Sequence, residues 1–172
     1  GQAIDLQLQY KFFIVTGGGA GRGGASRWTR AEEGAIPVIF GRSALKEDFQ
    51  AALSERTSDF AFYQVDVTDE AAVASAIVAT AERFGRIDGV VNNAGANDNV
   101  GLDASVDAFR ASLETNLIHY FSMVHHALPH LKQSRGSIVN IGSKTAVTGQ
   151  GQTSGYCAAN GGRLALTREW AA

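Results

Sequence analysis

Short apolar runs alternate along this chain with longer stretches whose apolar residues recur at helical spacing, and this alternation restricts the fold more than any other feature. Five runs have the length and composition of buried strands: residues 12–15, 36–40, 60–65, 90–91 and 137–141. Strands that alternate with helices are typical of βαβ units, in which parallel strands form one sheet covered by helices. The pattern therefore predicts an α/β fold.

Two of the stretches between these strands have a continuous apolar face. The first face contains Val73, Ile77, Thr80 and Phe84. The second is longer and contains Val106, Phe109, Leu113, Leu117, Tyr120, Val124 and Leu128. Each set follows the period of an α-helix. We expect the second helix to falter at Pro129, because proline inside a helix removes a hydrogen bond and clashes with the preceding turn.

Length and composition narrow the class of protein. A chain of 172 residues fits one domain. A net charge of −2 with scattered basic residues does not favour nucleic acid or a membrane surface as a partner. Cys157 is the only cysteine, which excludes an internal disulfide and is typical of a cytoplasmic protein. No apolar run approaches the roughly 20 residues of a membrane span, so we predict no membrane association.

The segment of residues 16–23 is rich in glycine and lies between a predicted strand and a predicted helix. Without a Cβ at Gly17, Gly21 and Gly23, the backbone can approach a pyrophosphate, which binds at the N–H groups and the positive dipole end of a helix. A flexible loop with no ligand is the alternative. Open α/β sheets bind nucleotides at such strand-to-helix turns, so the segment predicts a dinucleotide cofactor.

Residues after the second and third predicted strands indicate which dinucleotide is bound. Arg42 stands where NAD enzymes usually present an acid to the ribose, and a guanidinium there accommodates the 2′-phosphate of NADP. The sequence thus favours NADP over NAD. The alternative is that Arg42 is an ordinary solvated arginine with no role in binding. Asp66 can accept a hydrogen bond from an adenine amino group, and the run Asp66-Val67-Thr68-Asp69 is equally an N-cap signal for a helix starting near Asp69.

Several motifs occur together in a fixed order: Thr16-Gly17 with Gly21 and Gly23, Asp66-Val67, Asn92-Asn93-Ala94-Gly95, Asn116, Ser143 and Tyr156. In this combination the chain resembles the short-chain dehydrogenase/reductase family over almost its whole length. The resemblance implies a Rossmann-type, doubly wound parallel sheet in a single NAD(P)-binding domain of residues 1–172. It also implies hydride transfer between NAD(P) and a secondary alcohol or ketone, in a homodimer or homotetramer.

The resemblance further implies roles for single residues. Tyr156 would act as the general acid/base on the substrate oxygen, Ser143 would hold that oxygen, and Asn116 would support a water relay. Taken singly, each residue has an equally good structural explanation. Tyr156 can be a helix residue that packs its ring, Ser143 can belong to a turn at the end of a strand, and Asn116 can be an asparagine that the helix merely tolerates. The residues expected at the cofactor are Gly17, Gly21, Arg22, Gly23, Arg42, Asp66, Val67, Asn93, Ala94, Gly95 and Tyr156.

The sequence departs from the family pattern at three places. Asn160 stands where the family has a lysine one helical turn after the tyrosine, and it offers hydrogen bonds but no positive charge. Arg22 stands where the family usually has an aliphatic residue. Its side chain would either reach the pyrophosphate or obstruct its binding. The sequence stops at Ala172, within the helix expected to carry Tyr156, so the last strands of the family fold are expected to be missing.

Residues 155–170 are similar to sugar dehydrogenases of the L-fucose type, which favours a sugar as the substrate. Two alternatives stay open: a 3-oxoacyl-carrier-protein reductase, and a degenerate nucleotide-binding protein with impaired catalysis. No metal site is expected. His126 and His130 have the spacing of a ligand pair on one helix, but no third ligand accompanies them.

The loss of the lysine leads to a prediction for catalysis. If position 160 is the source of positive charge beside the catalytic tyrosine, the Asn160→Lys variant turns over faster than the parent chain. Steady-state rates of the two proteins under the same conditions provide the measurement. Equal rates would contradict the prediction.

Overall fold

The structure is a computed structural model that describes residues 10–17, 34–43, 60–141 and 151–172. Within these residues all five predicted strands are present: β1 Lys11–Thr16, β2 Ala35–Gly41, β3 Ala61–Gln64, β4 Gly89–Asn92 and β5 Ser137–Asn140. They pair in parallel in the order β3-β2-β1-β4-β5. Winding therefore reverses between β1 and β4, as in a Rossmann-type sheet, and this reversal point is where such sheets bind ligands.

The two central strands explain why the sequence shows apolar runs rather than alternation. Every residue of β1 and β2 after the first is buried. One face of the sheet carries Ile14, Val38 and Val90 into the larger core, and the other carries Val15 and Ile39 into a smaller one. Strands that are buried on both faces require apolar side chains at successive positions.

Four helices and one π-helical segment lie in the described residues: α1 Glu70–Phe84, α2 Val106–Leu113, the π-helical segment Glu114–Ile118, α3 His119–Ser134 and α4 Ser154–Ala171. The predicted face of α1 is confirmed, since Val73, Ile77 and Thr80 are buried. None of the helices in the described ranges is both long and apolar enough to cross a membrane.

The second predicted helix differs from expectation in two ways. The π-helical segment interrupts it, and a π turn holds more residues than an α turn, which rotates the buried face. Tyr120 and Val124 of the predicted face are buried, and Asn116 and His119 are buried as well, whereas Val106 and Leu128 are exposed. The helix also does not end at Pro129, where the sequence predicted that it would falter. Pro129 lies inside α3, which continues to Ser134 with Leu131 buried in the core.

Candidate active site

The carboxyl ends of β1 and β4 are joined by one buried hydroxyl. Thr16 Oγ1 accepts hydrogen bonds from the backbone N–H groups of Asn93 (2.9 Å) and Ala94 (3.1 Å). The next residue, Gly17, has a φ of +72°, and a Cβ there would collide with the Cα of Ala94. The turn after β1 and the segment after β4 are therefore in direct contact, at the point where the winding of the sheet reverses.

Asn92, the last residue of β4, extends these connections to the other side. Its buried side-chain Nδ2 donates to the carbonyl oxygen of Tyr120 in α3 (3.2 Å) and to Oδ1 of Asn140 in β5 (3.0 Å). One asparagine thus joins a helix and a neighbouring strand to the end of β4. The segment of residues 92–95 is fixed on both sides by side-chain hydrogen bonds.

The Thr16 hydroxyl gives a stability prediction. Thr16→Val leaves two backbone N–H groups without their acceptor, which costs about 1–3 kcal/mol for each group that stays buried. Thr16→Ser keeps the oxygen and loses only a methyl group, worth about 0.8 kcal/mol. Urea denaturation should therefore give the order wild type, Ser, Val in decreasing free energy of unfolding. A valine variant as stable as the serine variant would show that the hydroxyl does not stabilise this turn.

Arg42 and Asp66 lie beyond the ends of the neighbouring strands β2 and β3. Asp66 Oδ1 accepts from the backbone N–H (3.0 Å) and the hydroxyl (2.6 Å) of Thr68. These two bonds and, to a smaller extent, the charge of Arg42 lower the pKa of Asp66. The N-cap of α1 is Asp69, whose side chain accepts from Ala72 N, so the N-cap signal in residues 66–69 is confirmed, at Asp69 rather than at Asp66.

Asn116 lies in the π-helical segment and is fully buried. Its Nδ2 donates to the carbonyl oxygen of Ser112 (3.2 Å), and its Oδ1 accepts from the backbone N–H of Ala96 (2.7 Å). Its own backbone carbonyl accepts from Nε of Arg163 (2.7 Å). Asn116 therefore connects the segment after β4 with helix α4.

Arg163 is a buried charged residue at this end of the sheet, with 4% of its surface exposed. Its guanidinium donates to the side chain of Asn160 (2.9 Å) and to the carbonyl oxygens of Ile141 (3.4 Å) and Ala94 (3.3 Å). It also lies over the Tyr120 ring, with its central carbon 4.4 Å from the ring centroid. Burial lowers the pKa of Arg163, while interactions with Tyr120 and with the Tyr156 hydroxyl act in the opposite direction.

Tyr156, Asn160 and Arg163 share one face of α4, since they are spaced four and three residues apart. The structure thus brings Tyr156, Asn160 and Asn116 together around Arg163, a residue that the sequence analysis missed. The sequence feature that could have identified Arg163 is its position three residues after Asn160, on the same face of the helix. The predicted site residues Gly21, Arg22, Gly23 and Ser143 lie outside the described residues, and Val67 packs against the larger core.

A buried histidine next to this network titrates far from its usual range. Burial lowers the pKa of His119 to about 4, and the charge of Arg163 acts in the same direction. Its Nε2 donates to the carbonyl oxygen of Thr115 (2.8 Å), which leaves Nδ1 as the unprotonated nitrogen. His119 is therefore neutral at physiological pH, and this end of α3 adds no charge beside Arg163.

The pKa of His119 predicts a loss of stability in acid. An unfolded histidine binds a proton below about pH 6.5, whereas folded His119 does so only near pH 4, so this group lowers the free energy of unfolding as pH falls between these values. The loss amounts to about 3 kcal/mol. We expect His119→Gln to lose less stability than wild type between pH 7 and pH 4.5 in urea denaturation. His125→Gln, at an exposed position, is the control, and equal losses in all three proteins would contradict the prediction.

Comparison with known proteins gives a consistent result. Residues 11–172 match the family model described as short chain dehydrogenase. The L-fucose dehydrogenase of Mus musculus is 37% identical over 160 residues, which cover 92% of this chain and 58% of that protein. Among solved structures, levodione reductase has a TM-score of 0.84 at 34% identity over 94% of this chain and 65% of its own.

NAD+-bound xylitol dehydrogenase has the same TM-score of 0.84 at 28% identity, over 94% of this chain and 64% of its own. The chain thus spans less than two thirds of the length of each of these proteins. The family match nevertheless covers nearly every residue, and the sheet order agrees with it. The chain belongs to the short-chain dehydrogenase family.

Proposed function

We propose that this chain is the cofactor-binding part of an oxidoreductase that transfers a hydride between NAD(P) and a secondary alcohol or ketone. The observation that carries the proposal is the convergence of Tyr156, Asn116 and a buried cation, Arg163, at the carboxyl end of the sheet. They lie next to the Gly17–Ala94 contact, where the winding of the sheet reverses. An ionisable hydroxyl, an amide and a positive charge are the groups that proton exchange with a carbonyl oxygen requires.

The described residues fit a dinucleotide. Gly17 has the positive φ and the missing side chain that close approach of a phosphate to the backbone demands. Asp66 is an ionised acceptor beyond β3, and Arg42 is an exposed cation beyond β2. In this proposal Gly21, Arg22 and Gly23 complete the phosphate turn, and Val67, Asn93, Ala94 and Gly95 line the cofactor. The nicotinamide, when bound, supplies the hydride chemistry.

Tyr156 is the proton-exchanging group in this proposal. During oxidation its oxygen takes the proton of the alcohol hydroxyl, while the hydrogen on the carbinol carbon leaves with its electron pair; reduction reverses both transfers. Ser143 holds the substrate oxygen, and Asn116 fixes the segment after β4 through Ala96. A sugar is the proposed substrate class, because residues 155–170 resemble sugar dehydrogenases.

Arg42 makes NADP the preferred cofactor. We expect the purified chain to bind NADPH more tightly than NADH in a fluorescence titration. Arg42→Ala should weaken NADPH binding about 10-fold or more, the value of one charge-assisted hydrogen bond, and leave NADH binding unchanged. Arg83→Ala is the matched control, since Arg83 ends α1 at the opposite end of the sheet. Equal losses for both dinucleotides, or no binding of either, would contradict this assignment.

Turnover with two classes of substrate separates the remaining alternatives. Oxidation of L-fucose with NADP+ supports the sugar dehydrogenase, and reduction of a β-ketoacyl thioester in preference to sugars supports the 3-oxoacyl reductase. Saturable cofactor binding without turnover of either substrate supports a nucleotide-binding protein that has lost its chemistry. These outcomes exclude one another as descriptions of the main activity.

We also propose that the protein is a homo-oligomer. The support is a group of large apolar side chains that are exposed on and just before α3: Ile118, Phe121 and Leu128. Large exposed apolar side chains at one surface are typical of protein contacts. The sedimentation rate of the purified protein separates a monomer from a dimer or a tetramer.

A further inference from the structure

A row of exposed side chains runs along the outer face of α3 and of the π-helical segment before it. We call this row the α3 stripe, and its members are Glu114, Ile118, Phe121, His125, Leu128 and Lys132. The three large apolar members keep 45%, 55% and 39% of their surface exposed. Successive members are alternately four and three residues apart, which is the spacing of a seam at which two helices pack together.

His125 is the histidine in the middle of the α3 stripe. Its ring stacks on that of Phe121, with centroids 5.6 Å apart and 15° between the planes. Histidine is the side chain that ordinarily changes its charge between pH 5 and pH 8. We propose that protonation of His125 separates copies of this chain that associate through the α3 stripe. This inference rests on the homo-oligomer proposed above and adds its control by pH.

The charges at the two ends of the α3 stripe fit a second copy of the same stripe. Glu114 begins the stripe and Lys132 ends it. If two copies pack antiparallel about a two-fold axis midway along the stripe, each Glu114 lies opposite Lys132 of the second copy. The same register places Phe121 opposite His125 of the second copy and pairs the two aliphatic members. Parallel packing would instead bring like charges together, so the stripe favours an antiparallel pair.

No acid faces His125 from the described elements that pack on α3, which are α1, the π-helical segment, β4 and β5. The two strands contain no charged residue. On α1, Glu70 pairs instead with His126 (3.1 Å), whose ring meets that of His125 edge-on, and the other charged residues of α1 lie in its last turn. Glu114 lies three turns before His125 on the stripe, and Lys132 lies two turns after it.

Association would remove the His125 imidazole from water and surround it with apolar side chains of both copies. Taking an unpaired charge out of water costs more than the contact of a cation with an aromatic ring returns. The two His125 side chains would also lie only about 6 Å apart along the paired helices, the rise of four residues, so two imidazoliums would repel each other. The dimer therefore binds fewer protons than two free chains, and a fall in pH favours the free chains.

Sedimentation equilibrium of the purified chain at pH 7.5 and pH 5.5 tests the proposal without substrate or cofactor. The wild-type dissociation constant should rise about 10-fold or more at the lower pH, because two histidines per dimer must lose their protons on association. His125→Gln and His125→Phe cannot ionise and should associate equally at both pH values. His130→Gln, half-buried and off the stripe on the same helix, is the matched control and should keep the wild-type response. Circular dichroism at both pH values checks that each protein is folded.

The results that would overturn the proposal can be told apart. Equal weakening of wild type and His125→Gln at pH 5.5 would refute the role of His125 but not the homo-oligomer. A protein that is monomeric at both pH values would refute the homo-oligomer and the pH control with it. An oligomer that persists unchanged in Phe121→Asp would show that another surface joins the copies.

The charged ends of the α3 stripe test the antiparallel register separately. Glu114→Lys and Lys132→Glu should each weaken association about 5-fold or more at pH 7.5, because each variant turns two pairs of opposite charges per dimer into like charges. The double variant Glu114→Lys/Lys132→Glu should recover most of the wild-type affinity. Losses that add up in the double variant would contradict this register.

Discussion

A positive charge buried at the carboxyl end of the sheet constrains everything around it. Removing a guanidinium from water is costly unless its N–H groups find acceptors in the interior. Arg163 finds them in backbone carbonyls after β4, after β5 and in the π-helical segment. At the first two places the regular hydrogen bonding of a strand has ended, and at the third the α-helical turn is replaced by a wider π turn. The same charge thus holds α4 against the ends of two strands, which is the relative position that brings Tyr156 to the site.

The π-helical segment provides one of these acceptors. In a regular α-helix the carbonyl of Asn116 would accept the N–H four residues further on. In this segment the carbonyl of Asn116 accepts from Nε of Arg163, and the side-chain oxygen of Asn116 accepts from the backbone N–H of Ala96. π turns inside α-helices are frequent at functional sites because they redirect groups in this way. The irregular turn and the buried arginine therefore belong to one arrangement.

The strands could be predicted from the sequence because two-sided burial leaves continuous apolar runs such as Ile36 to Phe40. The contact of Gly17 with Ala94 follows from recognised motifs that meet at one end of the sheet. The π-helical segment could not be predicted, because a stripe with a period of 3.6 residues gives no sign of an inserted residue. Arg163 was missed for another reason. An arginine in a helix usually faces solvent, and its burial depends on carbonyls from distant parts of the chain.

The positions of Asn160 and Arg163 show why a departure from a motif should be assessed on the helix rather than in the sequence. Three residues correspond to a rise of about 4.5 Å along an α-helix. Helical side chains lean toward the N-terminus, so an arginine reaches back over the preceding turn. The guanidinium of Arg163 does so, since its Nη1 donates to the side chain of Asn160 one turn earlier. An acceptor at position 160 therefore helps an arginine one turn later to hold its positive charge at this end of the sheet.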